Sequence, residues 1–525
     1  MNENGKARQG ALSRIFKVSE RGSTAPQEIW AGIGACLIAV CALLLNTQLL
    51  GQYYGNFAGA YFAAALLALV GTVALGAIAN LPVLTTASFG MSSLLVAYLG
   101  ANEGLTYANL LFVTFVSALI TLVIVLTPLK KFFIDAIPAG VQKALPVGVG
   151  LYVMMTGLEK SGLITAAHEL ASTKDLGSLP AFYFFLMLAA LALVVVYLAV
   201  GRKNPLGSTY LMMLAAMWAI GIICYMEYFV GGQTATTLVY ERVNLVVATD
   251  GASPYTFGIG LHSLKTFTPA ALLSAGMDFS AFEEAGGQVT KFLVQSILTF
   301  VFMGLYMNYG TYQGAAAAGK LEEELVSKGE RKVLAISALL NVAAPLLGSA
   351  PVGIGAQSAV ETEDGAKTGL ASLTAGIGFA IALCSWVFFA LSATTTNGVG
   401  MWINDTETKL AAYVKDGFQF ADLILVFAGA AMLKAMRKVD ASKVEELAPF
   451  AITVAGTAFA GNIVAGIALG SLAYVLIALI RDRKSLKVSM AILAVVLTAY
   501  VVFTVMTGNG FVVVKNNFFM GPPPM

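Results

Sequence analysis

The chain has 525 residues, of which 58% are hydrophobic and only 11% charged, and its mean hydropathy is +0.80. A soluble domain carries about 25% charged residues, so this composition excludes a soluble enzyme or a nucleic-acid-binding module and specifies an all-α polytopic membrane protein. The net charge of +2 says little about partners. Two histidines in or near loops and four cysteines inside apolar stretches offer neither a metal-ligand set nor a disulfide framework. No metal, cofactor or catalytic residue is expected.

The first 27 residues are polar and read as a cytoplasmic N-terminus rather than a cleavable leader. Lys6, Arg8, Arg14, Lys17 and Arg21 set that orientation. Apolar spans of the length needed to cross a bilayer follow near 28–50, 56–79, 83–99, 106–127, 137–158, 181–201 and 207–231. A polar connection over 232–290 is expected outside the cytoplasm. A second set runs near 291–312, 332–349, 352–361, 369–392, 422–436, 448–461 and 463–480. The C-terminal segment, 481–525, holds one more apolar helix near 487–507.

Seven spans in 28–231 and seven in 291–480 predict about 14 transmembrane helices in two inverted seven-helix repeats. Lys130, Lys131, Arg202, Lys203, Lys434, Arg437 and Lys438 all follow even-numbered spans and so share the side of the N-terminus. The stretch 448–480 reads either as two short crossings or as one long helix. The mixed-charge run from Lys320 to Lys332 reads as a solvated cytoplasmic helix or loop.

The third member of each set is short and broken. Pro82-Val-Leu-Thr-Thr-Ala-Ser-Phe-Gly90 and Gly348-Ser-Ala-Pro-Val-Gly-Ile-Gly-Ala-Gln-Ser358 interrupt apolar sequence with Pro, Gly, Ser and Thr at matching places. Irregular backbone survives at membrane depth only inside protein or beside a wet cavity. A matched pair of such interruptions points to the solute site of an inverted-repeat transporter.

Several pieces of sequence resemble one family. They are Ser13-Arg-Ile-Phe-Lys-Val-Ser-Glu20, Glu28, Asn46, Ala79-Asn-Leu-Pro82, Ala136-Ile-Pro138, Gly148-Val-Gly-Leu151 and Gly157-Leu-Glu-Lys-Ser-Gly162. Asp364-Gly-Ala-Lys-Thr-Gly-Leu370, Gly429-Ala-Ala-Met432 and Gly466-Ile-Ala-Leu-Gly470 continue the series. Over roughly 13–480 the chain resembles the AzgA-type adenine/guanine/hypoxanthine permeases, a branch of the nucleobase–cation symporters that includes the uracil and xanthine permeases. The resemblance implies a core domain holding solute between spans one, three, eight and ten. It also implies a gate domain of spans five to seven and twelve to fourteen, movement of core against gate, coupling to a proton or sodium ion, and a homodimer.

The chain departs from that family at the chemistry. The third span reads Ala87-Ser-Phe-Gly-Met-Ser92, the family's eighth-span carboxylate position falls on Met307 beside Asn308, and its tenth-span Glu-Ser falls on Gln357-Ser358. Asn308 and Gln357 do not titrate, yet their amides offer paired donors and acceptors to the edge of a planar heterocycle. Ser88, Phe89 and Gly90 begin the third-span half-helix, whose free N–H groups and positive dipole end favour electron-rich solute atoms. Phe89 could stack on a flat ring or pack as an ordinary core or lipid-facing phenylalanine. Glu361 stands where the family has glycine, one helical turn after Gln357. It is the candidate for proton coupling, unless it and its acidic neighbours simply face cytoplasmic water.

Three functions follow. The first is a secondary transporter in the cell (inner) membrane for a purine or similar planar nitrogenous solute. The second keeps the fold but carries a non-purine or cationic metabolite, with or without coupling. The third is a transport-dead sensor or structural membrane protein. No phosphate-binding loop or nucleophile–base pair suggests an enzyme.

Overall fold

The computed structural model describes residues 11–54, 57–160, 269–384, 425–460, 462–481 and 486–506. The spans expected at 181–201 and 207–231, most of the polar connection, and Arg202 and Lys203 lie outside the described residues.

A short α1 (Ala11–Ile15) precedes the 30-residue α2 (Ala25–Tyr54). α3 (Phe57–Ala74) continues through a π-turn, Leu75–Ala79, which Asn80 ends in the left-handed region at φ 51°. Then come β1 (Thr85–Ala87), α4 (Phe89–Ala101), α5 (Tyr107–Leu126) and α6 (Ala139–Lys160). Thr106 and Asn109 close a reciprocal capping box at the start of α5, satisfying two otherwise orphan groups of that helix end.

After the undescribed stretch come α7 (Pro269–Gly276), α8 (Ser280–Glu284), α9 (Val289–Ala318) and α10 (Glu323–Leu346). β2 (Val352–Ile354), α11 (Gln357–Glu363) and α12 (Gly369–Cys384) follow. A helix over 425–432 runs into a 3-10 turn, Leu433–Lys438. The chain then forms α13 (Val444–Ala460), α14 (Ile463–Arg481) and α15 (Val488–Met506).

Six of the described helices are long and apolar enough to cross a membrane, and three shorter apolar ones accompany them. Large apolar side chains such as Val70, Val123, Ile377, Ile381 and Val495 stay exposed on their outer faces, as a bilayer solvent allows. The stretch 448–480 resolves into two helices. α13 and α14 fold back on each other as an antiparallel hairpin, in which Arg481 at the end of one bonds Glu445 at the start of the other at 3.0 Å. The charged run from Lys320 turns out to hold the first turns of α10, which starts at Glu323, earlier than the apolar pattern alone implies.

Both interrupted segments have the same form, a three-residue strand followed by a helix. The strands pair antiparallel, with Thr85 opposite Ile354, Thr86 opposite Gly353 and Ala87 opposite Val352. All six strand residues are buried, so their remaining backbone groups need partners from protein. The surrounding helices supply them. Val83 N–H donates to Ser372 Oγ at 2.9 Å, Leu84 N–H to Ser358 Oγ at 3.1 Å and Thr85 N–H to Thr72 Oγ1 at 3.0 Å. On the other strand, Val352 N–H donates to Asn341 Oδ1 and Ile354 N–H to Asn308 Oδ1, both at 2.7 Å. Small polar residues on five helices thus hold the irregular backbone in place.

The largest apolar core joins α4, α5, α6, α9, α14 and α15 through residues such as Leu95, Tyr98, Phe300, Phe302, Tyr306 and Tyr500. Tyr306, Tyr309 and Tyr312 recur every three residues along α9 and belong to the interior. Tyr306 donates to Phe133 O and Tyr312 to Val326 O. Basic and acidic groups converge at one end of the bundle, where Lys130 meets Glu330, Lys143 meets Glu446, Lys434 meets Glu363 and Lys438 meets Glu323.

Candidate functional site

A pocket opens beside the strand pair. From the first broken segment it takes Thr86, Ser88 and Gly90; from the second, Gly355, Ala356 and Gln357. Met307 and Thr311 of α9 form another wall, Val149, Tyr152 and Thr156 of α6 face them, and Ala42 of α2 and Leu425 complete the lining. α4 begins at the strand pair and runs away from it, so its N-terminal end, preceded by Ser88 in an extended conformation, abuts the pocket. A side chain at Gly90 would lie 3.2 Å from the Tyr152 hydroxyl and 3.4 Å from Met307 Sδ, which shows how closely α6 and α9 approach the start of α4.

Among the lining residues none is charged. An ionic solute would lose its hydration here without gaining a counter-ion, which costs several kcal/mol. A neutral solute with apolar faces and a few polar edge atoms meets no such penalty.

Two polar atoms of this wall lack partners. Gln357 Oε1 and Thr86 Oγ1 are buried and make no hydrogen bond within the protein. Their residues are 2% and 4% exposed. Buried polar atoms left unsatisfied are rare in a folded chain and each calls for an explanation; at a pocket wall, a bound molecule supplies one.

The candidates read from the sequence divide into groups. Ser88, Gly90, Met307 and Gln357 come together in the pocket wall. Asn308 and Ser358 stand behind it with their polar atoms committed to backbone. Asn308 accepts from Ile354 N–H and donates to Gly304 O, each at 2.7 Å. Ser358 Oγ accepts from Leu84 N–H at 3.1 Å and donates to Leu84 O at 3.3 Å. The backbone of Phe89 starts α4, while its side chain lies outside what is described.

Glu361 is fully buried, not turned to water, and neither carboxyl oxygen has a hydrogen-bond partner. It is absent from the pocket lining. The groups that bear on it are Glu28 and Cys36 of α2 and Ser372 of α12.

Thr86, Tyr152 and Gly355 escaped the sequence reading. Gly355 and Thr86 carried only the general signal of the interrupted segments; that Thr86 and Tyr152 reach the pocket comes through strand register and helix packing.

No protein-family model matches the chain. It is 23% identical to the guanine/hypoxanthine permease PbuO of Bacillus subtilis (strain 168) over 473 residues, covering 89% of this chain and 95% of that one. It is 24% identical to the adenine permease AdeP of Escherichia coli (strain K12) over 469 residues, 89% of this chain and 90% of that one. Among solved structures, the transmembrane domain of a cyanobacterium bicarbonate transporter, BicA, aligns with 83% of this chain and 96% of its own at 14% identity and a TM-score of 0.44.

Proposed function

This chain is a homologue of the AzgA-type purine permeases, and from that premise we propose that it is a secondary active transporter for a purine nucleobase or a similar planar nitrogenous solute. Its relatives are permeases rather than enzymes. The observation that carries the reading is the uncharged pocket at the meeting of the two broken segments, with the Gln357 carboxamide oxygen buried and unpartnered in its wall. A carboxamide offers an acceptor beside donors, which matches the alternating edge of a nucleobase. Ser88, Phe89, Gly90, Met307, Asn308 and Ser358 are the other residues assigned to the solute site, the last two as its supports.

Two inverted seven-helix repeats at 28–231 and 291–480 account for the antiparallel pairing of β1 with β2. Transport then proceeds by movement of a core carrying the broken segments against a gate carrying α6 and the α13–α14 hairpin. The pocket lies where these would meet, since α6 and Leu425 line it opposite the broken segments. The end bearing Lys130, Lys434 and Lys438 is assigned to the cytoplasm with the N-terminus, by the bias of basic residues to that side. The inner membrane and a homodimeric state are part of the same reading.

Coupling to a proton is assigned to Glu361. A carboxyl buried without a partner costs several kcal/mol in its charged form, so its charge state is linked to whatever surrounds it. Movement that changes its contact with Glu28, Cys36 and Ser372 would move a proton without Glu361 touching the solute.

Thermal stabilisation of the purified protein by hypoxanthine, guanine, adenine, xanthine and uracil at two pH values tests the reading, because a ligand that binds the native state raises its apparent stability. Stabilisation by at least one purine is expected. Folded protein that responds to none of the bases overturns the reading. For the coupling assignment, Glu361→Gln should flatten the pH profile of uptake; an unaltered profile removes Glu361 from that role.

A further inference from the structure

We propose that Thr86 works with Gln357 as the second polar contact to the solute, and that Gly355 lets the two side chains close together at the pocket wall. The inference rests on the solute pocket proposed above and adds to it a specificity-determining residue from the other broken segment.

The neighbourhood is full of small polar side chains, and nearly all are committed to the fold. Thr85 Oγ1 donates to Ala68 O at 3.1 Å, and Thr72 Oγ1 receives the Thr85 N–H. Ser358, Ser372 and Asn308 hold backbone as described above. Thr86 sits in the middle of β1, flanked by these satisfied groups, and its hydroxyl alone among them has no partner. A hydroxyl with no structural bond, in the wall of a pocket, next to a carboxamide oxygen in the same state, is placed to bind something that enters.

Gly355 connects the two. A Cβ at this position would lie 2.6 Å from Gln357 Oε1 and 2.8 Å from Thr86 Cγ2. Both side chains therefore pack into the space a Cβ would take, which only glycine leaves to them. Its backbone N–H donates to Leu84 O at 3.0 Å, which fixes the segment that sets the two side chains together. Gln357 Oε1 needs an N–H from the solute, and the threonine hydroxyl can donate or accept beside it. The solute edge is then one with an N–H adjacent to a further polar atom, as in a lactam or an aminopyrimidine. A base with that nitrogen methylated would be refused.

The orphan state of Thr86 makes the test sharp, because Thr86→Val removes a hydroxyl that nothing in the protein uses while keeping the shape. Solute-free Thr86→Val should be as thermally stable as the parent or more so, since an unsatisfied buried polar group is removed. Its affinity for the best purine of the panel, by calorimetric titration of the full chain, should fall about 10-fold, the loss of one solute hydrogen bond. Thr86→Ser should retain affinity within about 3-fold. Unchanged purine affinity in Thr86→Val overturns the inference while leaving the transporter reading intact. A clear drop in solute-free stability also overturns it, by showing a structural hydroxyl. If the parent protein binds no base, the reading itself fails, and this inference fails with it.

Discussion

The Lys434 ammonium and the Glu363 carboxylate form an ion pair that ties the 3-10 turn Leu433–Lys438 to the last residue of α11. Both side chains are largely covered, at 24% and 13% exposed, so this is not one of the freely solvated pairs that contribute little. α11 carries Gln357 at its opposite end. The bond therefore fixes the base of an element whose other end is pocket wall. It also joins the chain after the 425–432 helix to a broken segment, which the proposed transport cycle requires to move apart.

Glu363→Gln and Lys434→Met should each lower thermal stability by about 1.5–3 kcal/mol, as expected for a hydrogen bond between charged groups. Because they remove one interaction, their effects should not add, and the double variant should resemble either single one. Additive losses would show that the pair contributes nothing as a pair. In uptake assays the single variants should change turnover more than solute affinity, since neither residue lines the pocket.

Glu28 is buried in α2, where its two oxygens accept the backbone N–H groups of Lys367 at 2.8 Å and Thr368 at 3.2 Å. These amides precede α12, so the carboxylate sits at that helix's positive end and satisfies donors that have no partner within the helix. Glu28→Ala leaves two N–H groups, that of Thr368 buried, without their acceptor and should cost about 2–4 kcal/mol. Glu20→Ala, at an exposed position paired with Lys17, should stay within about 0.5 kcal/mol of the parent. Equal melting temperatures for the two variants would refute the anchoring role.

Asn308 acts on the strand pair, not on the pocket surface. Asn308→Ala frees the Ile354 N–H and should destabilise the protein by about 1–3 kcal/mol. Asn308→Asp keeps the acceptor for Ile354, loses the donor to Gly304 O and buries a charge, so it should be the worse of the two. Melting curves of both, with the alanine variant the more stable, are the expected result. An alanine variant that melts with the parent but binds no purine would return Asn308 to direct recognition.

That residue also illustrates what the sequence could and could not reveal. The broken segments were legible because Pro82, Gly348 and Gly355 among apolar residues defeat a continuous helix, and the strand-then-helix form is the physical outcome. Ser88, Gly90, Met307 and Gln357 were legible as candidates from the start of a half-helix and from the family resemblance. An amide written at 308 looks the same whether it faces solute or Ile354 N–H; only three-dimensional pairing separates the two. Thr86 was invisible for the same reason, since the strand register that sets it opposite Gly353 joins distant parts of the chain. Helical spacing put Glu361 on one face with Gln357, yet the structure surrounds it with α2 and α12 and leaves it out of the pocket lining. The charge pattern left 448–480 open between one helix and two, although Gly461-Asn462 is a turn signal in the sequence and Asn462 Oδ1 accepts the Val464 N–H at 2.8 Å.

The close packing of that hairpin yields a final expectation. α13 and α14 meet through glycines, as helices in a lipid environment do when backbone must approach backbone. A Cβ on Gly466 would stand 2.6 Å from Thr453 O and 2.8 Å from Thr457 N, both backbone atoms that cannot step aside, and 2.2 Å from Thr457 Oγ1. Gly466→Ala should therefore force the helices apart and cost about 1–3 kcal/mol, the range for overpacking. Gly100 near the end of α4 is the matched control, because a Cβ there meets nothing within 4 Å. Gly100→Ala should stabilise by up to about 1 kcal/mol through helix propensity alone. Opposite shifts in melting temperature from one chemical change at two helical glycines would assign the difference to the contact. Shifts of the same sign would mean that α13 and α14 tolerate separation at this contact.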